Sequence, residues 1–480
     1  MEPRRQVIVV GAGPAGLVTA IVLGRFGVDV LVLDKRPLTS TLARAITIST
    51  RGMEIFRAWG MEESICRGAA DVEPLGWQTP SLASGEGRVM ALGYPTVAEA
   101  KEISPTRPAW APQDHLEPLL LDLLRSLPTI ELRFGCELVG LQQAEDRVVA
   151  SVRVGGSTPT TVIADHLVGA DGAHSSVRQL AGIAMDGPDN MGEFHRVEFR
   201  APLTEILGEH RYGLYVISNP EVAGVVAPQG AGDRWMLARE WRGGDQLRIV
   251  DADERQLSEL VATAAGVPRL RYRIERTNAF LFSAQLADRY REGRVFLAGD
   301  AAHRMTPRGG TGMNTAIQDA FDIGWKLAWV LHGWSGEPLL DTYEAERRPV
   351  GSHNVQRAAQ PDGARRDAKD ALPWDLYGRL AHCWLNRDGR TASTLDLLGD
   401  GFTLLTGPDE ARWLDSRTSN GWSAPLAVHR LDQQTAKTLA IASTGATLVR
   451  PDGKIAGSWT TFTKQLAPQN PTPPPSLPSP

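Results

Sequence analysis

Val7-Ile8-Val9-Val10-Gly11-Ala12-Gly13-Pro14-Ala15-Gly16 is the stretch whose reading decides the fold. Four apolar residues of high strand propensity run into glycines at 11, 13 and 16. Residues 17–26 then read as a helix stopped by Gly27, and residues 28–33 as a second buried strand. In such a β-α-β unit the backbone N–H groups of the turn and the positive end of the helix can hold a pyrophosphate. Asp34 closes the second strand, 34 − 11 = 23 positions after Gly11, where a carboxylate accepts hydrogen bonds from an adenosine ribose. Gly11, Gly13, Pro14, Ala15, Gly16, Asp34 and its neighbour Lys35 are therefore the expected contacts of a dinucleotide. The motif alone does not choose between NAD and FAD.

The rest of the chain sets bounds. Its 480 residues suit roughly three domains of about 150 residues. With 51 basic against 56 acidic side chains, the net charge of −5 argues against a polyanionic partner, so no nucleic acid is expected. Cys66, Cys136 and Cys383 form no CxxC and no ligand-like cluster, which argues against a disulfide framework or a zinc site and fits a reducing cytoplasm. Arg4 and Arg5 before an apolar run imitate a secretory signal, but the glycines interrupt that run at nucleotide-binding spacing and no clean cleavage site follows. No stretch of about 20 uninterrupted apolar residues occurs, so no membrane association is expected.

Further along, residues 114–127 read as a helix with an apolar stripe. From about 194 to 241 the pattern changes to short alternating runs, such as 212–217 and 235–238, that suit an antiparallel sheet. Apolar α/β character returns at 295–298, and residues 313–331 follow as a helix with Ile317, Ala320, Phe321, Gly324, Leu327, Ala328 and Leu331 on one face. Strand candidates at 402–405 and 447–449 suggest a small terminal domain. The last 13 residues hold seven prolines and read as a disordered tail.

Three ordered motifs give the chain a family resemblance. The glycine turn, LVGADGAHSSVR at 167–178 and RVFLAGD at 294–300 together resemble class A FAD-dependent monooxygenases, the group of hydroxybenzoate, phenol and polyketide hydroxylases. By that resemblance Asp171 and Gly172 lie near the FAD pyrophosphate, and Asp300 hydrogen-bonds ribose or ribityl hydroxyls. The following AAHRMTPRGGTGMN, 301–314, forms the loop and helix start that face the flavin ring, giving Pro307, Gly309 and Gly310 a place in the catalytic loop and Gly312, Met313 and Asn314 a place on the cofactor. Physics supports that segment separately: glycines let backbone approach a flat ring, and a helix beginning near Met313 aims its positive end at the ring edge where negative charge collects on reduction. Arg44 and Gln113 match flavin-contacting positions of the family. His303, with no second ligand at metal spacing, reads as structural and no metal is expected.

The implied fold is α/β: a Rossmann-like FAD-binding domain, an inserted antiparallel-sheet substrate domain and a shortened thioredoxin-like C-terminal domain. The expected boundaries are 1–76, 109–181 and 278–348 for the first, 77–108 and 182–277 for the second, 349–394 for a helical connector, 395–467 for the third and 468–480 for the tail. The implied activity is oxygenation with FAD as cofactor and NADPH or NADH as electron donor. A flavin hydroperoxide transfers OH from O2 to a phenolic or polycyclic aromatic substrate, by a monomer or homodimer. No phenol-deprotonating base is assigned; Tyr212, Tyr215, Trp235, Arg239, Thr47 and Ser49 are candidates for the pocket wall. Baeyer–Villiger or epoxidising chemistry, or a non-oxygenating flavoprotein that binds a reactive intermediate, are the alternatives, because a scaffold does not fix its substrate chemistry.

Overall fold

The apolar run at 7–10 lies inside the strand Arg5–Val10, which pairs in parallel with Val30–Asp34 on one side and Thr160–Gly169 on the other. Val7, Ile8 and Val9 and Val30 to Leu33 are fully buried, because parallel strands covered on both faces need apolar side chains on both. This computed structural model describes residues 4–463 except 244–246, 388, 410 and 416–422. The sheet runs in the order Arg291–Glu292, Val295–Leu297, Thr160–Gly169, Arg5–Val10, Val30–Asp34, Ile130–Phe134, with Cys136–Gln143 and Val148–Val154 added as a meander on the long third strand. Helices Pro14–Arg25, Gln113–Arg125 and Gly312–Leu331 pack against it. Gly24 and Gly324 let them approach closely: a β-carbon on Gly324 would stand 2.8 Å from Val22.

A second, seven-stranded sheet runs in the order Arg273–Leu281, Glu193–Arg200, Arg234–Trp241, Gly224–Pro228, Tyr212–Ile217, Glu73–Thr79, Arg88–Ala91. It is antiparallel except between Tyr212–Ile217 and Glu73–Thr79, which run parallel. Two of its strands cross the boundaries expected at 77 and 277, because pairing carries a strand past the point where composition changes. Helix Glu254–Ala265 covers one face, over a core that includes Trp77, Phe199, Tyr215, Trp235 and Leu237.

Helix Pro338–Ala359 runs without interruption across the boundary placed at 348, with Pro349 inside it. Gly351 there packs on Tyr290, whose hydroxyl would be 2.1 Å from an added β-carbon. Within the expected helical connector, helix Ala368–Leu376 is followed by a hairpin of Trp384–Arg387 and Arg390–Ser393, so the segment is only partly helical. The C-terminal unit has four strands in the order Leu426–Arg430, Phe402–Thr406, Ala446–Val449, Ile455–Trp459, which include both strands expected there. It is fastened to the first domain by Glu346, which takes Arg450 at 2.8 Å and Lys454 at 2.6 Å. The proline-rich tail lies outside the described residues. No described helix is long and apolar enough to cross a membrane.

Candidate cofactor and active site

The three motifs meet because each follows a strand of one parallel sheet: Val10, Gly169 and Leu297 end neighbouring strands. The crevice outside the carboxyl ends of such strands is where ligands bind in open α/β sheets. Gly11 has φ +105°, and a β-carbon on it would stand 2.2 Å from the Ala170 carbonyl oxygen. One on Gly16 would lie 1.8 Å from the Gly11 oxygen, so both glycines are needed for chain packing. Gly13 differs: its added β-carbon meets nothing within 4 Å, which leaves the cradle at the start of helix Pro14–Arg25 open to a pyrophosphate. Ala15 packs closely against the turn before Asp300: a β-carbon on Gly299 would be 3.1 Å from it and 3.0 Å from Ala316. The residues present thus fit an FAD.

Asp34 accepts the Ala12 N–H at 2.7 Å and Arg36 Nη2 at 2.9 Å. Burial pushes this carboxyl up, but the Arg36 bonds and the Ala12 N–H outweigh it and hold it below the usual carboxylate range. Arg36, rather than the exposed Lys35, shares the side of Asp34, as residues two apart on an extended chain do. Asp171 accepts the backbone N–H groups of Ser176 at 2.7 Å and Val177 at 3.1 Å and bonds Ser175. Its carboxylate thus caps helix Ser176–Leu180, while Gly172, at φ +82°, shapes the turn. Arg178 then donates to the Ala301 carbonyl at 3.1 Å and ties this turn to the one carrying Asp300. Asp300 faces the open crevice, yet enough protein surrounds it to push its carboxyl up, partly offset by His303 and Arg44.

Arg44 is exposed at the same crevice. The sheet domain holds its loop: Arg196 donates to the Ala43 carbonyl at 2.7 Å and Arg276 to that of Thr41 at 2.8 Å. Buried Glu198 takes each of these arginines at 2.7 Å. Gln113 donates from its backbone to Ala45 at 2.8 Å and from its side chain to the fully buried Glu117 at 2.6 Å. Burial raises the Glu117 carboxyl despite Gln113 and Arg36. Glu117 was missed in the sequence, where the sign was a carboxylate on the apolar face of its helix, one turn after Gln113.

Pro307 is exposed and its carbonyl accepts the Gly310 N–H at 3.1 Å, closing the turn. Thr306 donates to the Ala358 carbonyl at 2.6 Å. Gly309 and Gly310 have φ of +82° and +63°, the left-handed region that glycine enters freely. The Tyr94 hydroxyl donates to the Gly310 carbonyl at 3.0 Å. Helix Gly312–Leu331 begins with no side-chain cap and no acidic residue in its first turn, so its positive end is free for an anionic ring edge. Met313 is core, whereas Asn314 accepts the Ser49 N–H at 2.7 Å and donates to Thr47 and Gly310 carbonyls at 3.2 and 2.9 Å.

Of the wall candidates, Thr47 and Ser49 adjoin this loop. Tyr215 and Trp235 do not: both are buried in the core under helix Glu254–Ala265, and the Tyr215 hydroxyl donates to His210. Tyr212 stacks on Trp77 at 5.4 Å on that same side, and Arg239 reaches the Glu221 carbonyl. Alternation along the strands sends Tyr215, Trp235 and Arg239 away from the crevice, and the register shift between Tyr212 and Leu214 turns Tyr212 to the same side. An aromatic cluster missed in the sequence stands instead beside the glycine loop, with Phe194 stacked on Phe282 at 3.5 Å and Arg308 over Phe282 at 5.2 Å. His303 is fully buried on Asp319, 2.5 Å away, as part of the scaffold.

Comparison with known proteins agrees with this geometry. Residues 4–358 match the FAD binding domain family and residues 376–470 the aromatic-ring hydroxylase C-terminal family. Tetracenomycin B2 monooxygenase-dioxygenase of Streptomyces olivaceus is 33% identical over 94% of each chain. Aklavinone 12-hydroxylase of Streptomyces purpurascens is 33% identical over 95% of each. Among solved structures, aklavinone-11 hydroxylase with FAD and aklavinone superposes with a TM-score of 0.86 at 30% identity, covering 97% of both chains. The chain belongs to the FAD-binding aromatic-ring hydroxylases.

Proposed function

We propose that this protein is an NAD(P)H- and O2-dependent monooxygenase that hydroxylates a phenolic or polycyclic, polyketide-like aromatic substrate. One observation carries the reading: three neighbouring strand ends, the glycine loop 309–312 and an uncapped helix N-terminus stand together, with the Arg44 loop held by the sheet domain. The names of the relatives, which act on aklavinone and tetracenomycins, support the substrate class. FAD, when bound, supplies the redox and oxygen chemistry that side chains lack.

The chain's own residues bind and orient. Gly13 admits the pyrophosphate, Asp34 and Asp300 receive hydroxyl donors, and the start of helix Gly312–Leu331 favours negative charge at the ring edge. Phe194, Phe280 and Phe282 give an apolar wall that excludes water beside the loop. The Arg196–Glu198–Arg276 clasp makes the Arg44 loop answer to the sheet domain, so a ligand on that sheet can bias the crevice. The test is anaerobic reduction of the bound flavin by NADPH or NADH with and without a panel of phenols and hydroxylated polycycles. Reduction accelerates at least about tenfold with the true substrate, equivalent to roughly 1.4 kcal/mol. In 18O2 the product gains one labelled oxygen. Turnover without label defeats the oxygenase reading.

A further inference from the structure

Behind the glycine loop lies a cleft of about 520 Å³ whose walls include Ser49, Tyr94, Gly309 and Thr311. A second cavity, of about 330 Å³, is walled by Arg347 and Tyr377 and, from the C-terminal unit, by Asp452 and Lys454. Two residues line both: Gln318 on helix Gly312–Leu331 and Asp375 on helix Ala368–Leu376. They close the partition by a hydrogen bond of 2.9 Å from Gln318 Nε2 to Asp375 Oδ1.

The second cavity suits water rather than an ionic ligand. The charges on its wall other than Asp375 already have partners: Arg347 on Asp319 at 2.8 Å, Arg51 on Glu54 at 3.1 Å, Lys454 on Glu346 at 2.6 Å, Asp322 on Lys326 at 2.6 Å, and Asp452 on Arg450. One donor is left over. Arg347 is 3% exposed, and among the described residues its Nη2 is buried with no hydrogen-bond partner. A buried N–H without an acceptor is costly, and because its charge is already balanced a neutral acceptor is what it needs. The carboxylates around it give water further partners, and the space suits several molecules of about 30 Å³ each.

Asp375 faces the cleft as well. Its Oδ2 accepts the Arg51 backbone N–H at 3.1 Å, and the Ser49 hydroxyl donates to its carboxylate. Ser49 is fixed at the cleft wall, its own N–H held by Asn314 Oδ1 at 2.7 Å. Each carboxylate oxygen keeps a lone pair for a further donor. Burial pushes this carboxyl up, against Ser49 and the Arg51 N–H and charge, with Glu54 acting in the same direction as burial, which brings its acid form nearer to reach than in a solvated aspartate.

Oxygenation as read under Proposed function has a proton balance: substrate–H, O2, NAD(P)H and one H+ give substrate–OH, NAD(P)+ and water. A site that excludes bulk water needs a route for that proton. We propose that Asp375 is a proton relay between the cavity at the C-terminal unit and the cleft behind the glycine loop, with the Ser49 hydroxyl as the next carrier. A proton reaches one carboxyl oxygen from water. The Ser49 hydroxyl rotates and gives its own proton to an acceptor in the cleft, the acid replaces that proton, and Asp375 returns to carboxylate. Only O–H bonds to these carriers form and break. Gln318 and Arg347 act as positioning residues. The inference rests on the oxygenase reading for the reaction served, but its test does not.

The test mixes photoreduced, FAD-loaded protein with O2 in a stopped-flow instrument, with a pH-indicator dye and no aromatic compound or nicotinamide. Return of the reduced flavin anion to oxidised flavin then consumes one proton and releases H2O2. In Asp375→Asn, which keeps an acceptor but cannot carry a proton, proton uptake is expected to slow at least about tenfold. Asp375→Glu recovers part of the rate, formate restores uptake in Asp375→Ala without accelerating the wild type, and Ser49→Ala is slower than Ser49→Thr, which keeps a hydroxyl. FAD content and melting temperature are checked for each, and a crystal structure should show water on Arg347 Nη2 and on Asp375. If Asp375→Asn does not fold, the two Ser49 variants decide. Unchanged uptake in Asp375→Asn, formate without effect, equal rates in the Ser49 pair, or a second cavity without water overturns the proposal. Because no aromatic compound is present, the oxygenase reading can fail with this result standing, and the reverse also holds.

Discussion

Asp319→Asn tests whether the crevice is held together from beneath. Asp319 is fully buried, takes His303 Nε2 at 2.5 Å and Arg347 Nε at 2.8 Å, and lies 3.4 Å from the Gly299 N–H next to Asp300. Burial pushes this carboxyl up, but Arg347 and His303 outweigh it and keep it below the usual range. An amide offers one acceptor where the carboxylate has two, so its NH2 group must face an N–H donor of Arg347 or His303. It also leaves Arg347, 3% exposed, without its closest counter-charge. Breaking a buried pair from one side costs about 3–5 kcal/mol. For a cooperative unit of 150–250 residues each kcal/mol moves the melting temperature by about 2–4 °C, which predicts a fall of roughly 6–20 °C. Differential scanning calorimetry of the FAD-free protein reads this without ligand linkage, and flavin fluorescence titration reads the accompanying loss of FAD affinity. Arg347→Met and the double variant complete a cycle whose coupling should exceed about 1 kcal/mol. A single variant within about 0.5 kcal/mol of wild type, or an additive double, refutes the argument.

Other perturbations separate the roles of neighbouring residues. Gly13→Ala should leave the FAD-free melting temperature unchanged and weaken FAD binding, because its β-carbon points into open space; Gly16→Ala should destabilise even the FAD-free chain, against the Gly11 oxygen. Circular dichroism melts and flavin titrations distinguish the two. Tyr94→Phe removes the hydroxyl bond to Gly310 and should cost about 0.5–1.5 kcal/mol, read as a lower melting temperature of the loaded enzyme. Glu54 is buried between Arg379 and Arg51, which hold its carboxyl down against burial. Its folded value lies below the unfolded one, near 4.3, so the contribution is full above about pH 4.3 and is lost as pH falls through the folded value. Melting curves from pH 7 to pH 3.5 should steepen at the acid end, and Glu54→Gln should flatten that slope.

Much of the first domain was legible because its signals are local. A strand, a glycine turn and a helix lie within 30 residues, and Gly11 and Gly16 follow from backbone contacts that no other residue tolerates. Helix Gly312–Leu331 began one residue from the expected start, since its apolar periodicity is long and its glycine loop abrupt. The sheet domain was legible as a sheet but not by face. Alternation says that Tyr215 and Leu214 point oppositely, and only helix Glu254–Ala265 decides which side becomes core.

Sequence by itself determined the dinucleotide cradle, the order of the three motifs and the family, because each is written in contiguous residues. Tertiary structure alone decided that Asn314 holds Ser49 beside the glycine loop, that Arg196 and Arg276 hold the Arg44 loop, and that Glu54 sits buried against Arg379. It also set Gln318 and Asp375 between the cleft behind Gly309 and a second cavity at the C-terminal unit. The physical reason is that a charged side chain carries no mark of its burial or its partners. Those depend on residues tens to hundreds of positions away, and an unpaired buried N–H can be recognised only when every neighbour is in place.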